Sequence, residues 1–130
     1  MPRERFSENH TFLPKRAFLS FEEIEKVVRS CMSLGLEKVR ITGGEPLLRK
    51  DLPRLIEMLS GLGIEIALTT NASLLKKEAK ALHSAGLTRV TVSLDALDPE
   101  LHRTMSDSNI SVDSVLEGID EAIRVGLSPV

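Results

Sequence analysis

The residues best suited to binding a ligand are Gly43-Gly44-Glu45-Pro46, which directly follow a run rich in β-branched residues at 39–42. Two glycines without a Cβ let a ligand lie against the backbone, the carboxylate can accept a hydrogen bond from an ammonium or hydroxyl group, and the proline stiffens the exit of the turn. A Gly-Gly pair alone more often marks a turn that needs positive φ. The carboxylate and the neighbouring polar residues favour a binding turn.

Polar side chains recur two residues apart near the carboxyl ends of three apolar segments. The pairs are Arg40 and Thr42, Thr69 and Asn71, and Ser93 and Asp95. In a strand, residues two apart share one face, and α/β folds bind ligands at the carboxyl ends of parallel strands. An internal network, for example Arg40 paired with Asp95, is the alternative for any one strand. Three such strands beside the glycine turn favour a ligand site.

Each polar type in these pairs suggests its own role. The Arg40 guanidinium would hold an anion such as phosphate or carboxylate. Glu45 and Asp95 could accept hydrogen bonds from an ammonium group or from ribose hydroxyls. The neutral side chains would orient the ligand rather than react with it; they are Thr69, Asn71 and Ser93.

No residue pattern supplies a nucleophile with its base or a metal site. His10, His83 and His102 lie far apart in the sequence and are predicted to be on the solvated surface. The single cysteine, Cys31, falls on the apolar stripe of a helix and is predicted to be a small buried hydrophobe. These residues alone therefore indicate a pocket without a visible catalytic group.

The elements around these residues alternate between helices and strands. Residues 1–19 show no period and are expected to be an irregular lead-in. Ser20 and Glu23 form a capping-box pattern that opens the first helix, which ends at Gly35. Further helices are predicted from Asp51 to about residue 59, at 75–85 and at 113–125. Strands are predicted at 38–42, 64–70 and 90–94, with another beginning at 127–130.

This alternation predicts an α/β fold with parallel strands joined by crossover helices. It fits either a doubly wound sheet or a β/α barrel, and periodicity does not separate the two. Because the last segment only begins a strand, we expect residues 1–130 to be a fragment of one larger domain. It would contain about three and a half βα units over residues 20–130.

Size and composition exclude several classes of protein. The 130 residues carry a net charge of -2, with 17 Lys and Arg against 19 Asp and Glu, so bulk charge predicts no nucleic-acid binding. No apolar run approaches the roughly 20 residues of a membrane span. Charges at Arg3, Glu4 and Arg5 do not fit a signal peptide, so we expect a cytoplasmic protein without membrane association.

Five sequence motifs together resemble the GTP 3',8-cyclase family of molybdenum cofactor biosynthesis, within the radical S-adenosylmethionine (SAM) enzymes. They are FLPK at 12–15, LSFEEI at 19–24, VRITGGEPLLRK at 39–50, LTTN at 68–71 and VSLD at 92–95. The GGEP motif is shared across radical SAM enzymes, whereas FLPK and the arginine two residues before Thr42 point to this family. The resemblance implies a partial (β/α) barrel of the radical SAM type.

The resemblance also implies an activity with SAM and 4Fe-4S clusters as cofactors. In that family a cluster reduces SAM to a radical that abstracts hydrogen from the GTP ribose and triggers closure onto the guanine. GTP would be the substrate, and the enzyme would be a homodimer that feeds cyclic pyranopterin monophosphate synthase.

The site roles implied by the resemblance fall into three sets. Arg40 and Thr69 would contact GTP. Gly44 and Ser93 would contact SAM, with Gly43 and Glu45 near its methionine end. Asn71 and Asp95 would support these contacts.

Three features depart from the family pattern. The family holds a cluster with a C-x3-C-x2-C loop followed by Met-Pro, and this sequence starts at Met1-Pro2 with no such loop. The C-terminal cysteines that hold a second cluster are also absent from it. Ala72 replaces the glycine usual after the Thr-Thr-Asn motif.

We therefore expect the 130-residue chain alone to bind no cluster and to be inactive, since clusters need thiolates. An open strand edge would make it associate or be marginally stable. Two alternatives remain: another radical SAM branch, or a non-catalytic nucleotide-binding α/β module.

Overall fold

The computed structural model describes residues 18–106, 109–128 and 130. The predicted lead-in at 1–19 lies mostly outside this range, together with Phe6, His10 and Phe12. Five α-helices and three strands form the described part. In chain order they are α1 (Phe21–Met32), β1 (Lys38–Ile41), α2 (Leu52–Ser60), β2 (Glu65–Thr70), α3 (Leu75–Ser84), β3 (Arg89–Val92), α4 (Pro99–Ser106) and α5 (Val112–Arg124).

The three strands form one parallel sheet in the order β1-β2-β3. Arg40 lies opposite Ala67, and Thr69 lies opposite Thr91. This arrangement confirms the predicted α/β class with parallel strands and matches part of a radical SAM (β/α) fold. The predicted strand at 127–130 is wrong for residues 127, 128 and 130, none of which lies in a strand.

The first helix begins as its sequence predicts. The Ser20 hydroxyl accepts a hydrogen bond from the Glu23 amide at 3.1 Å, and the Glu23 carboxylate accepts one from the Ser20 amide at 2.7 Å. This confirms the capping box. Asp51 precedes α2 as predicted, but it has a left-handed φ of 59° and its side chain makes no capping bond. Pro53 in the first turn therefore provides the clearer start signal.

Two helical segments were not predicted from the sequence. One is a 3₁₀ helix at Pro46–Leu48, inside the turn that follows β1. The other is α4, whose start is stabilised by Asp98, because its carboxylate accepts a hydrogen bond from the Leu101 amide at 2.8 Å. Both segments are too short to show a clear apolar period.

The two faces of the sheet differ in character. One face carries apolar side chains that join the helices in a single core, including Ile66, Leu68 and Val90. Strand alternation assigns the other face Lys38, Arg40, Glu65, Thr69, Arg89 and Thr91. Parallel strands are usually buried on both faces, whereas here one face of the sheet is polar. That polar face leads directly to the predicted ligand-binding residues.

The open edge of β1 borders a mostly apolar cavity of about 290 Å³. Its lining includes Ile24, Val39 and Leu55, together with Arg40. On the other side of the molecule α3 and α5 pack closely, since a Cβ at Gly118 would lie 3.3 Å from the Leu75 Cβ.

Three predictions about single residues were tested by burial. Cys31 is only half-buried, so the prediction that it is buried is wrong in extent. His83 is exposed as predicted, but His102 is buried and the prediction of a surface position is wrong. Within the described residues, no helix is long and apolar enough to cross a membrane.

Candidate functional site

A cavity of about 470 Å³ lies at the carboxyl ends of the three strands. It is lined by residues from all three strand ends and from the segment 102–110, namely Thr42, Gly43, Gly44, Thr69, Thr70, Asn71, Ser93, Asp95, His102, Met105, Ser106 and Ile110. Five of the six paired polar residues line this cavity. The sixth, Arg40, is not part of the lining, but its guanidinium donates a hydrogen bond to the hydroxyl of Thr69, which is.

The two glycines offer open backbone to this cavity. Gly43 has a φ of 146°, a conformation that side chains other than glycine rarely adopt. A Cβ placed at Gly43 or at Gly44 would meet no atom of the described residues within 4 Å. Close packing against this part of the chain therefore does not require the glycines, and their backbone is accessible to a ligand.

Glu45 is engaged by the chain itself. Its Oε1 accepts hydrogen bonds from the Thr70 hydroxyl at 2.7 Å and the Leu47 amide at 3.0 Å, and its Oε2 accepts one from the Asn71 amide at 2.8 Å. The carboxylate thus caps the 3₁₀ helix and ties the end of β1 to the end of β2. Sequence reasoning missed this role, because it depends on the neighbouring strand.

The turn after β2 is held by short-range hydrogen bonds. The Thr70 hydroxyl accepts a bond from the Ala72 amide at 3.0 Å, and the Asn71 side-chain oxygen accepts one from the Ser73 amide at 2.9 Å. Ala72 sits between them with a left-handed φ of 62° and is 1% exposed. The glycine usual in the resembled family would adopt this conformation without strain.

Arg40 lies across the polar face of the sheet. Its Nη1 donates to the Thr69 hydroxyl at 3.1 Å and to the Thr91 hydroxyl at 3.0 Å. The alternative pairing of Arg40 with Asp95 is not formed. Thr91 was missed in the sequence, although it continues the two-residue period of Ser93 and Asp95.

His102 projects from α4 beside the cavity. It is 4% exposed, and neither ring nitrogen has a hydrogen-bond partner among the described residues. Burying an imidazole with both nitrogens unpaired is unfavourable. This burial could not be predicted from the sequence, because α4 itself was not predicted.

The amino-terminal half of the polar face carries a charge cluster. Lys38 Nζ lies 2.7 Å from Glu65 Oε1, and Arg89 Nε lies 3.9 Å from it. The hydrogen bond from Lys38, helped by the charges of Lys38, Arg89 and Arg40, holds the pKa of Glu65 below its usual value. Glu65 therefore supplies one negative charge between the two cations Lys38 and Arg89, and its closer partner is Lys38.

The chain belongs to the radical SAM superfamily, which matches residues 5–130. Its curated relatives include proteins named GTP 3',8-cyclase. The one from Acidothermus cellulolyticus is 51% identical over an alignment of 132 positions that covers 100% of this chain and 36% of that protein. Those from Staphylococcus carnosus and Staphylococcus epidermidis are 50% and 48% identical over 128 residues, 97% of this chain and 38% of each relative. The chain thus spans little more than a third of these relatives.

Members of the superfamily use SAM and 4Fe-4S clusters. The open Gly43-Gly44 backbone and the polar cavity fit a ligand with amino, carboxylate and hydroxyl groups, as SAM has. A cluster does not fit the residues in view: the sequence has one cysteine, and residues 18–106, 109–128 and 130 contain no group of three His, Cys, Asp or Glu that could hold a metal. The described residues therefore do not offer a set of ligands for an iron-sulfur cluster.

Proposed function

We propose that the protein carrying this chain is a radical SAM enzyme that converts GTP to 3',8-cyclo-7,8-dihydro-GTP, the first step of molybdenum cofactor biosynthesis. The observation that carries the proposal is the pairing of an open diglycine backbone with a fixed arginine at one end of a parallel sheet. The names of the relatives support the choice of substrate.

SAM would occupy the β1 and β3 side of the cavity. Gly43 and Gly44 would offer their backbone to its methionine end, and Ser93 would hydrogen-bond the nucleoside. Glu45 would contribute from the same turn, although three of its acceptor positions are already used by the chain. Asp95 would support this half of the site as an acceptor for hydroxyl groups.

GTP would lie over the polar face next to SAM. Arg40 would bind an anionic group of GTP, Thr69 would contact it as well, and Asn71 would hold the turn that shapes the cavity. When bound, SAM and a cluster supply a radical that removes hydrogen from the GTP ribose. The part of this chain is to hold the ribose beside SAM and to keep both ligands in one orientation.

The remaining parts of the proposal concern partners and location. GTP is the substrate, the whole protein forms a homodimer, and its product passes to cyclic pyranopterin monophosphate synthase. The protein acts in the cytoplasm and binds neither nucleic acid nor membrane. The net charge of -2 supports the absence of nucleic-acid binding.

The test is a pair of anaerobic calorimetric titrations of the whole protein, one with GTP and one with SAM. Arg40→Ala should lower GTP affinity by about 10-fold or more, because a charged hydrogen-bonding group is lost, and should leave SAM affinity nearly unchanged. Ser93→Ala should mainly lower SAM affinity. Arg54→Ala is the control, since Arg54 is exposed on α2 and pairs with Glu22.

The result also separates the alternatives. SAM binding without GTP affinity would contradict the proposal and indicate another radical SAM branch. Binding of both ligands by a whole protein that holds no cluster would indicate a nucleotide-binding module instead.

A further inference from the structure

Arg40 is held by two threonines that stand side by side on neighbouring strands. Thr69 of β2 and Thr91 of β3 are register partners, whereas Arg40 comes from β1 and crosses β2 to reach them. Both hydroxyls accept from the same nitrogen, Nη1, at 3.1 and 3.0 Å. Because the threonines are β-branched and sit in strands, their own side chains have few rotamers to lose.

Because only Nη1 donates to the threonines, the edge of the guanidinium formed by Nε and Nη2 remains available. The group has five N–H donors, of which Nη1 carries two, and Nη1 donates to both threonines. The Nε–H and the two Nη2–H donors make no hydrogen bond with the described residues. Nε and Nη2 together form the side-on fork that matches two oxygens of one phosphate or carboxylate.

The charge of Arg40 is also available. Within the described part of the chain Arg40 has no salt bridge, whereas Lys38 and Arg89 both lie beside Glu65. An oxyanion above the centre of the sheet would therefore meet an oriented cation that forms no ion pair with the described residues. An oriented side chain loses less conformational freedom on binding, which raises affinity.

We propose that Thr91 is a positioning residue which, with Thr69, fixes Arg40 so that its Nε and Nη2 edge receives an oxyanion of the bound ligand. The inference rests on the proposed function, which supplies two sources of this chemistry, a phosphate of GTP and the carboxylate of SAM. Thr91 itself does not touch the reacting atoms.

The test uses Thr91→Val in the whole protein, because valine keeps the shape and strand preference of threonine but cannot accept a hydrogen bond. Affinities are measured for GTP, SAM and guanosine, which lacks phosphate. We expect a loss of about 3- to 10-fold for the ligand whose oxyanion meets Arg40, with guanosine unchanged. Thr91→Ser should restore affinity. In an Arg40→Ala background, Thr91→Val should have no further effect.

Thr88→Val is the matched control, because it removes another threonine hydroxyl of the sheet region, one that donates to the Ile66 carbonyl at 2.9 Å and is not among the hydroxyls that accept from Arg40. Loss of GTP rather than SAM affinity identifies phosphate as the oxyanion, and the reverse identifies the carboxylate. The inference is overturned if Thr91→Val binds every ligand like the wild type, or if guanosine weakens equally. Failure of the wild type to bind GTP would instead count against the proposed function, while the SAM titration still tests Thr91.

Discussion

At the scale of single residues, two unfavourable features stand out, at Ala72 and at the cavity-lining His102. Ala72 adopts a left-handed conformation where a glycine would be unstrained, and His102 buries two ring nitrogens that have no hydrogen-bond partner among the described residues. Such features persist when surrounding contacts enforce them, and they cluster at functional sites. We therefore expect substitutions at Ala72 and at His102 to change stability differently from the same substitutions at ordinary positions.

The strain at Ala72 is tested by comparing two alanine-to-glycine changes that each remove a buried methyl group. Ala79→Gly, in α3, should cost about 1.5–2 kcal/mol through lost helix propensity and lost burial. Ala72→Gly should lie within about 0.5 kcal/mol of wild type, because relief of left-handed strain offsets the other losses. Urea unfolding of both variants measures the difference. Equal costs would show that Ala72 carries no strain.

Replacing His102 should stabilise the protein in the absence of ligand. His102→Phe fills the same buried position without unpaired ring nitrogens, and we expect a gain of about 1 kcal/mol in the free energy of unfolding. His83→Phe, at an exposed position, should change it by less than about 0.5 kcal/mol. Thermal unfolding provides the measurement, and a lower Tm for His102→Phe would mean that the imidazole is stabilised by contacts such as bound water.

The sequence predicted the polar side chains of the site better than their partners. A period of two places Thr42, Asn71 and Asp95 at the strand ends, and all three line the cavity. The same period includes Thr91, so its place on the polar face was predictable. The bonds of Glu45 to Thr70 and Asn71 were not, because they join positions 25 and 26 residues apart in the sequence.

At the scale of elements, glycine turns set how helices approach the sheet. Gly86 joins α3 to β3 with a φ of 100°, and a Cβ there would lie 2.7 Å from both side-chain atoms of Ser60, the last residue of α2. Gly63 also has positive φ, at 77°, but a Cβ there would meet nothing within 4 Å. A side chain at Gly63 would therefore add backbone strain alone, whereas a side chain at Gly86 would add both backbone strain and a steric clash.

Gly86→Ala should destabilise the protein by about 1–3 kcal/mol more than Gly63→Ala, since only the first adds overpacking to strain. Chemical denaturation midpoints of the two variants give the comparison. Similar midpoints would mean that α2 and α3 can separate at little cost.

The long amphipathic helices α1, α3 and α5 were predictable, because burial of one helix face dictates the period of apolar residues. The glycines that follow these helices marked their ends. The short α4 was not, since its start depends on the Asp98 carboxylate and its position on packing of His102. The burial of that histidine therefore could not be predicted either.

At the scale of the whole molecule, the sheet has one apolar face covered by helices and one polar face that carries charge. Glu65 neutralises part of this charge through its contacts with Lys38 and Arg89, whereas Arg40 forms no ion pair with the described residues and remains for a ligand. The chain spans 36–38% of its relatives named GTP 3',8-cyclase. The polar face is thus the part of the molecule on which the proposed activity depends.

The charge cluster predicts a dependence of stability on pH. The pKa of Glu65 is lowered from its usual 4.5, chiefly by the hydrogen bond from Lys38. A lowered folded-state pKa contributes stability that is present above about pH 4.5 and is lost as pH falls through the folded value. Glu65→Gln should therefore be less stable than wild type at pH 7, with a difference that shrinks in acid. A difference that is constant from pH 7 to pH 3 would contradict the role of this ion pair.

The most direct test of the account follows hydrogen from GTP to SAM. The whole protein, reconstituted anaerobically, is given SAM, a reductant and GTP deuterated on the ribose at C3', and the 5'-deoxyadenosine formed is examined by mass spectrometry. We expect deuterium to appear in 5'-deoxyadenosine and Arg40→Ala to reduce this transfer greatly. SAM cleavage that proceeds equally without GTP, or that never carries the label, would contradict it.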